Sequence, residues 1–178
     1  MTEPQGHVHY ENPFATPAEL RAPARRFRGR LAAPVTVWTS GGPDVAAGLT
    51  VSSILVAEGE PPLVIGLISP TSDLWDAIRD TARFVVHVLG EGNETVAERF
   101  AGLRPSPGGP FAGLRSEASD WGPVLLDFPD RALCSLGDAA EVGHHLLLRG
   151  SIDDLTMTDF DEPLVYFRGR YRSVHPRP

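Results

Sequence analysis

Residues 46–72, AAGLTVSSILVAEGEPPLVIGLISPTS, decide the fold class of this 178-residue chain. The stretch begins with small and hydroxylated residues at positions 48–53, set between aliphatic ones. Such a run can lie extended in a sheet while leaving room on one face for a flat ligand. Pro61 and Pro62 then force a turn, because each proline fixes φ and disfavours helix at the residue before it. The continuous apolar run 63–68 predicts a buried strand.

A helix is predicted directly after that strand, over residues 73–79. Ser69, Thr71 and Ser72 precede it, and Ser72 is a favourable N-cap. Hydroxyls and free backbone N–H groups at a helix start form a natural seat for a phosphate, whereas the carboxylate of Asp73 repels one. A phosphate here therefore needs an arginine nearby. The nearest in the sequence are Arg79, Arg83 and Arg104, and the pattern does not choose among them.

Most of the remaining chain has the pattern of short strands at hairpin spacing. The predicted strands cover residues 34–39, 46–56, 63–68, 84–89, 133–140, 145–155 and 164–167. We expect 46–56 to form a hairpin with 34–39. The pair 133–140 and 145–155 is expected to turn at 141–143, and 164–167 to close the sheet.

Helices are predicted to be few and short. Thr16 and Glu19 have the spacing of a capping box, with Pro17 at the first helical position. Pro23 must interrupt that helix, so residues 24–33 predict a second one.

Two segments have no regular pattern. Residues 1–15 predict an N-terminal arm, ordered only where it packs against something. Residues 104–120 are rich in proline and glycine and predict a long irregular loop, of the kind that forms lids or binding loops. A helix is predicted just before this loop, over 93–101, with apolar residues three and four apart.

These elements predict a mainly β fold with short helices, arranged as an antiparallel barrel with the helices packed outside. A Rossmann fold needs alternating strands and long helices with a glycine-rich turn after the first strand, and the sequence has neither. No internal repeat or domain boundary is evident, and 178 residues are enough for one core. We therefore expect a single domain over residues 1–178.

Composition excludes several classes of protein. The formal net charge of −7 argues against non-specific nucleic-acid binding, which needs a basic surface. All 16 basic residues are arginine, so a Schiff-base lysine is excluded and arginine is the only permanent side-chain cation for phosphates. No apolar run approaches the length of a membrane span, and the N-terminus lacks a signal-peptide pattern. We therefore expect a cytoplasmic protein that does not bind membranes.

The histidines invite a metal-site interpretation, with His87 as a third ligand beside His144 and His145. Adjacent residues of a strand point to opposite faces, so at most one of the pair enters a given pocket. No other His, Cys, Asp or Glu recurs at a ligand spacing. We therefore predict no metal site, and we interpret the single cysteine, Cys134, as a small buried apolar residue.

Several short motifs recur in a recognisable order. They are Thr50-Val51-Ser52-Ser53, Pro61-Pro62-Leu63-Val64, Ser69 with Ser72, Phe84-Val85-Val86-His87-Val88-Leu89, Phe100-Ala101, Gly143-His144-His145 and Pro163-Leu164-Val165-Tyr166. Their order and spacing together resemble the flavin reductase-like family, whose fold is the FMN-binding split barrel. The resemblance covers roughly residues 31–171.

The resemblance implies a flavin site built from two of these motifs. Thr50, Val51, Ser52 and Ser53 would line the isoalloxazine ring, whereas residue type alone favours ordinary strand residues. Ser69, Thr71 and Ser72 would receive the ribityl chain and phosphate, whereas a simple helix cap is the alternative. The family pattern also adds Phe100 to the cofactor pocket and Tyr171 near the flavin or the dinucleotide.

The resemblance also implies where a nicotinamide docks. His145 corresponds to the histidine of the family's Gly-Asp-His pattern, which lies beside the flavin. Three positions depart from the family: His144 replaces the aspartate, Glu58 a frequent serine, and His87 a common asparagine.

The implied activity is that of an NAD(P)H-dependent flavin reductase. NADH or NADPH would stack its nicotinamide on the exposed face of FMN or FAD and give hydride to the central ring nitrogen, without a strong acid or base. Reduced flavin would pass to oxygen or to a separate monooxygenase. Because family members place the flavin at a subunit interface, we expect a homodimer. The arm around Phe14 and the loop 104–120 look short of internal partners, which agrees with this.

Other functions fit parts of the pattern. A flavin-binding protein without its own turnover would account for the lost aspartate at His144. A split-barrel oxidase or a deazaflavin-dependent reductase would share the barrel. A purely structural barrel would bind no flavin and would be colourless.

Overall fold

The apolar run Leu63–Ile68 forms a strand with the predicted bounds in the computed structural model, which describes residues 23–174. Fifteen helices and strands follow one another in this part of the chain. They are α1 (Pro23–Arg28), β1 (Ala33–Pro34), β2 (Thr36–Ser40), β3 (Ala47–Val51), β4 (Ile54–Ala57), β5 (Leu63–Ile68), α2 (Asp73–Thr81), β6 (Arg83–Val88), α3 (Glu94–Phe100), β7 (Ser116–Glu117), β8 (Val124–Leu125), β9 (Arg131–Val142), β10 (His145–Thr156), β11 (Leu164–Phe167) and β12 (Arg170–Ser173).

Seven strands form one curled antiparallel sheet in the order β3-β2-β6-β9-β10-β5-β4. The long β9–β10 hairpin has register shifts between Arg149 and Gly150 and between Ile152 and Asp154, and such irregularities bend a sheet. Gly150 also admits the Phe84 ring, which would lie 2.7 Å from a Cβ at that position. The predicted fold class, a mainly β antiparallel barrel with short helices, is confirmed.

The inside of the curl is a hydrophobic core centred on Trp38 and Phe84, whose rings stack with centroids 5.0 Å apart. Leu74 and Ile78 of α2 close it from one side, so this helix buries an apolar face as its sequence predicts. Cys134 belongs to the same core, and burial raises the pKa of its thiol to about 12. The interpretation of this cysteine as a buried apolar residue is confirmed.

A second core lies on the opposite side of β2, which is why all five residues of that strand are buried. Val35 and Val37 meet Ala97 and Phe100 of α3 there, together with Leu164 of β11. The strand β2 therefore separates two cores. Its neighbour β3 is less covered, because only Ala47 and Val51 of that strand are fully buried.

Residues 46–56 do not form the single predicted strand. They form β3 and β4, which lie at opposite edges of the sheet and are separated by Ser52 and Ser53. Only β3 pairs with β2 as the predicted hairpin partner, whereas β4 pairs with β5. The chain passes from one edge of the curled sheet to the other within Ser52 and Ser53, so the two edges lie close together at this point.

Other predicted bounds need correction. The helix expected over 24–33 is only α1, because Gly29 starts a turn and the residue before Pro34 favours an extended backbone. Pro34 consequently belongs to β1, so the strand predicted over 34–39 begins at Thr36. The β9–β10 turn consists of Gly143 and His144 rather than 141–143.

The last predicted strand, residues 164–167, does not close the main sheet. It is β11, the middle strand of a separate three-stranded sheet in the order β1-β11-β12. The irregular loop is confirmed over most of 104–120, except that β7 pairs with β8 at its end. The arm 1–15 and the capping box at Thr16 lie outside the described residues. Between residues 23 and 174 no helix is long and apolar enough to cross a membrane.

Candidate functional site

Hydrogen bonds fix the backbone on both sides of the break between β3 and β4. The Thr36 hydroxyl donates to the Val51 carbonyl over 2.6 Å, and the Trp38 indole N–H donates to that hydroxyl over 3.0 Å. Beyond the break, Leu67 N–H donates to the Ser53 carbonyl over 3.0 Å. The strand end is therefore held firmly while its side chains stay available.

The side chains at this break are small, polar and half-buried. Among the described residues, the hydroxyls of Ser52 and Ser53 have no hydrogen-bond partner. A half-buried hydroxyl normally finds a partner in protein or water. These two can therefore bind a ligand without losing a bond inside the protein.

His145 and Ser69 lie at the same end of the sheet as this break. Leu146 pairs with Ile68, so the preceding His145 and the following Ser69 lie side by side at the end of β5. Ser53 flanks β5 on its other edge through the Leu67 bond. We term Ser52, Ser53, Ser69 and His145 the β5-end cluster. His145 is more than 70 residues away from the three serines in the sequence, and the pairing of β5 with β10 places it next to Ser69.

The turn after β5 uses most of its hydroxyls internally. The Ser72 hydroxyl donates to the Ser69 carbonyl over 2.8 Å and accepts from Trp75 N–H over 3.2 Å, which makes it the N-cap of α2. The hydroxyls of Ser69 and Thr71 lie 3.1 Å apart, and Thr71 is exposed. Only the Ser69–Thr71 pair remains to donate outward to a phosphate.

The electrostatics of this helix start are acidic. Asp73 and Asp76 occupy the first turn of α2, and Arg79 is bound to Asp76 over 2.9 Å. The other two arginines that sequence proximity suggested are also engaged. Arg83 faces Asp120 at 3.6 Å and Arg104 faces Glu98 at 3.3 Å. None of the three is placed as an unpaired cation for a phosphate at Ser69.

Thr50 and Val51 have different surroundings from the serines that follow them. The Thr50 hydroxyl donates to the Ala97 carbonyl of α3 over 2.6 Å. Val51 is 2% exposed and belongs to the core around Trp38. These two residues thus hold β3 in place on both sides. Their predicted contact with the flavin ring stays a prediction.

Phe100 and Tyr171 are not brought to the β5-end cluster. Phe100 is 3% exposed and packs over Gly48, four residues before Ser52, or about 13 Å along the strand. Tyr171 contacts Tyr166 with ring centroids 5.2 Å apart and packs on the second core. Burial raises the pKa of the Tyr171 phenol, and the nearby carboxylates of α3 raise it further. Their predicted cofactor contacts remain predictions.

His87 is a packed strand residue. It is fully buried, with Nδ1 3.1 Å from the Val37 carbonyl and Nε2 accepting from Leu125 N–H over 3.0 Å. Burial lowers the pKa of its imidazole to about 4, so the ring is neutral at physiological pH. Both nitrogens are used, which leaves none for a metal. Between residues 23 and 174 no group of three or more potential ligands is arranged to hold a metal ion.

The donor set of the β5-end cluster fits a flavin ring. The polar edge of that ring carries carbonyl and ring-nitrogen groups, which take uncharged hydrogen bonds of the kind that serine hydroxyls supply. Gly66 next to the Ser53 contact also has no Cβ, and one there would lie 2.6 Å from the Trp38 ring. The half-buried serines therefore lie beside the aromatic core around Trp38.

The sequence gives little sign of the residues that hold the strand end in place. Thr36 and Trp38 are two apart on β2, and this spacing indicates a shared face but no bond to β3. Phe111, from the irregular loop, packs edge-on against Phe100 with centroids 5.0 Å apart. The loop is fastened by Arg99, which bonds the Ser106 hydroxyl and the Ala112 carbonyl.

Comparisons with known proteins agree with this geometry. The flavin reductase like domain model matches residues 28–175. The HsaB reductase subunit of a flavin-dependent monooxygenase from Rhodococcus jostii is 32% identical over 85% of this chain and 78% of its own length. The FMN reductase (NADH) RutF of Pseudomonas syringae is 31% identical over 90% and 93%.

Solved structures agree as well. A homolog of nitrilotriacetate monooxygenase component B from Mycobacterium thermoresistibile superposes with a TM-score of 0.78, 29% identity and 86% coverage of both chains. The NADH:FAD oxidoreductase SgcE6 of Streptomyces globisporus superposes with a TM-score of 0.77 and 26% identity, over 90% of this chain and all of that one. The order of the motifs, the split barrel and these matches together establish that the chain belongs to the flavin reductase-like family.

Proposed function

We propose that this chain is an NAD(P)H:flavin oxidoreductase that acts as one catalytic domain. FMN or FAD binds with its ring at Ser52 and Ser53, and NADH or NADPH approaches at His145. The observation that carries this proposal is the β5-end cluster, in which unpaired serine hydroxyls and a histidine flank the end of one strand.

A flavin held by Ser52 and Ser53 would supply the hydride-transfer chemistry of the reaction. The protein's own contribution is to bind and orient. Ser52 and Ser53 hold the polar edge of the ring, and the Thr36–Val51 bond keeps their backbone in place. His145 positions the nicotinamide over the ring. No proton transfer by a side chain is required, which agrees with a cluster that contains no carboxylate.

The names of the relatives support the electron donor and the destination of the electrons. One relative is named as an FMN reductase that uses NADH, and another as the reductase subunit of a flavin-dependent monooxygenase. We propose that this chain likewise uses NADH or NADPH and supplies reduced flavin to a separate monooxygenase. The proposal includes a cytoplasmic location, where reduced nicotinamide nucleotides are generated.

We further propose that the working form is a homodimer. Large apolar side chains are strongly exposed on α1, on the edge strand β4 and after β10. They are Phe27 at 66%, Leu55 at 69%, Val56 at 63% and Met157 at 77%. Large apolar side chains exposed to this extent favour association with a second chain.

The test of the function is a steady-state assay of His145→Ala. A lost positioning contact costs about 1–3 kcal/mol, so kcat/KM for the nicotinamide nucleotide should fall roughly five- to a hundred-fold. Flavin affinity should change little, because the serines hold the ring. The matched control is His144→Ala in the adjacent turn, for which we expect a much smaller effect.

Two outcomes contradict the proposal in different ways. An unchanged kcat/KM for both NADH and NADPH in folded His145→Ala removes this residue from the site. A parent protein that binds flavin and oxidises neither nucleotide is a passive flavin carrier, the alternative for which the histidine at position 144 is the motivating feature.

A further inference from the structure

The peptide group between Val51 and Ser52 connects the core of the barrel with the β5-end cluster. Its carbonyl, on Val51, accepts a bond from the Thr36 hydroxyl over 2.6 Å. Its N–H, on Ser52, lies beyond the last residue pair between β2 and β3, which is Thr36 with Val51. Within residues 23–174 this N–H donates to no other group. One side of the peptide is therefore bound inside the protein, and the other side is free for a ligand.

The bond from Thr36 also determines where the free N–H points. Thr36 belongs to β2, so the Val51 carbonyl is turned towards that strand. A peptide group is planar and trans, so its N–H points in the direction opposite to its carbonyl. The Ser52 N–H therefore points away from β2. Because β3 is an edge strand of the seven-stranded sheet, it does not pair with another strand of that sheet on this side.

A second buried donor holds the Thr36 hydroxyl in place. The Trp38 indole N–H donates to the Thr36 oxygen over 3.0 Å, while the hydroxyl hydrogen is donated onward to the peptide. The indole is itself held, because it stacks on Phe84 and lies where a Cβ on Gly66 would be 2.6 Å away. Both donors belong to residues that are at most 2% exposed, so water does not compete for them. Hydrogen bonds joined in a chain polarise one another, which makes the Ser52 N–H a stronger donor.

Thr39, on the same strand, makes an equivalent bond away from the site. Its hydroxyl is also buried and donates to the Pro123 carbonyl over the same distance, 2.6 Å. Pro123 directly precedes β8 and is not a member of the β5-end cluster. Both bonds satisfy a buried hydroxyl. Only the bond of Thr36 ends at a peptide group of the cluster.

We propose that Thr36 and Trp38 are positioning residues for the flavin, and that they act through the Ser52 N–H. This N–H donates to an acceptor on the polar edge of the ring, which is a carbonyl oxygen or a ring nitrogen. The direction of the donor is set before the ligand arrives, so binding requires no ordering of this backbone. The inference rests on the proposed function and adds a backbone donor to the serine hydroxyls. Because the contact is with the ring, it is the same for riboflavin, FMN and FAD.

The test is flavin binding by Thr36→Val, which keeps the shape of the side chain and removes its hydroxyl. The Kd values for riboflavin, FMN and FAD, measured by flavin fluorescence, should rise at least about fivefold and by the same factor. Thr36→Ser retains a hydroxyl and should bind within about twofold of the parent. The matched control is Thr39→Val, which should lower the unfolding free energy about as much as Thr36→Val does. It should leave all three Kd values within about twofold of the parent.

Two further measurements cover a Thr36→Val protein that does not fold. Trp38→Phe keeps a ring that can stack on Phe84 and removes the indole N–H, so the three Kd values should rise about two- to fivefold. In the parent, riboflavin should shift the amide-proton NMR signal of Ser52 more than that of Thr39.

Three results overturn the inference. One is a folded Thr36→Val or Trp38→Phe protein that binds all three flavins as the parent does. Another is a Ser52 amide signal that riboflavin does not shift. The third is a rise in Kd for FMN and FAD but not for riboflavin, because the phosphate contacts are then affected and not the ring. A parent that oxidises NADH or NADPH with added flavin leaves the proposed function standing in each case.

Discussion

The two ends of β3 both carry small residues, but the protein's own side chains pack against one end and leave the other end accessible. At its start, Gly48 lies under the rings of Phe100 and Phe111, and the Thr50 hydroxyl is bound to α3. At its end, Ser52 and Ser53 follow the strand beside β5, and their hydroxyls have no partner among residues 23–174. Both ends use small residues, but the first makes room for the protein's own side chains and the second leaves room for a ligand.

This comparison gives a rule for interpreting small residues on a strand. A glycine or threonine next to a helix is small because the helix approaches closely. For Ser52 and Ser53 at the strand break, no neighbour within the described part of the chain explains the small side chain. We call the start of β3, at Gly48 and Thr50, its closed end, and Ser52 and Ser53 its open end. Substitutions at the closed end should therefore lower stability, and substitutions at the open end should lower ligand affinity.

The largest effect on stability is expected from the protonation of His87. This residue contacts the Val37 carbonyl of β2, the strand that pairs with β3. Its pKa is lowered from 6.5 to about 4, so the folded protein binds fewer protons than the unfolded chain between these values. Stability is then full above pH 6.5 and falls by about 3 kcal/mol as the pH decreases to 4. Urea unfolding across this window measures the loss.

The control for this prediction is His87→Asn, which cannot titrate. Its unfolding free energy should be lower than that of the parent at pH 7 and should fall much less than the parent's between pH 6.5 and 4, where the remaining decrease comes from carboxyls such as Asp127, whose pKa is lowered by Arg115. A parent whose stability is flat across the window would show that the ring is accessible to protons in the folded state.

The next largest loss of stability is expected from Gly48→Ala. The new Cβ would lie 2.6 Å from the Phe100 ring, and such overpacking costs about 1–3 kcal/mol. The reduced entropy of the unfolded chain offsets part of this, so we expect a net loss of about 2 kcal/mol. Gly42→Ala is the matched control, because a Cβ there has no neighbour within 4 Å. Equal stability of the two variants would mean that α3 moves freely away from β3.

A smaller effect is expected from Thr50→Val. The substitution keeps the shape of the side chain and removes its bond to the Ala97 carbonyl, which still accepts from Ala101 N–H. The loss of one such bond is worth about 1 kcal/mol. Flavin affinity, measured by fluorescence titration, should stay within about twofold of the parent. A large loss of flavin binding without a loss of stability would assign the Thr50 hydroxyl to the ligand.

Local patterns predicted some elements well. The strand Leu63–Ile68, the N-cap at Ser72 and helix α3 each follow from short-range signals, namely an apolar run, a capping residue and helical spacing. The break inside 46–56 was not predictable in this way. Aliphatic residues continue on both sides of Ser52, with no glycine or proline to mark a turn. The break results from the curl of the sheet, which requires β3 and β4 to lie at opposite edges.

The site was predicted only in part, because its members meet through long-range pairing. Ser69 and His145 become neighbours through the register of β5 and β10. Residue type alone could not show that Thr50 is committed to α3, or that Phe100 is buried under Gly48. The three-stranded sheet was also missed, since β1 has two residues and its partner β11 follows 130 residues later.

The most direct test of the central claim, that the ring lies at the open end of β3, is the flavin affinity of Ser53→Leu. A strand end tolerates leucine, so the unfolding free energy should change by less than about 1 kcal/mol. The Kd for FMN or FAD, measured by flavin fluorescence, should nevertheless rise at least about tenfold because the side chain fills the space for the ring. Ser116→Leu on β7 is the matched control and should bind as the parent does. If folded Ser53→Leu binds both flavins as tightly as the parent, the ring lies elsewhere and the account is wrong.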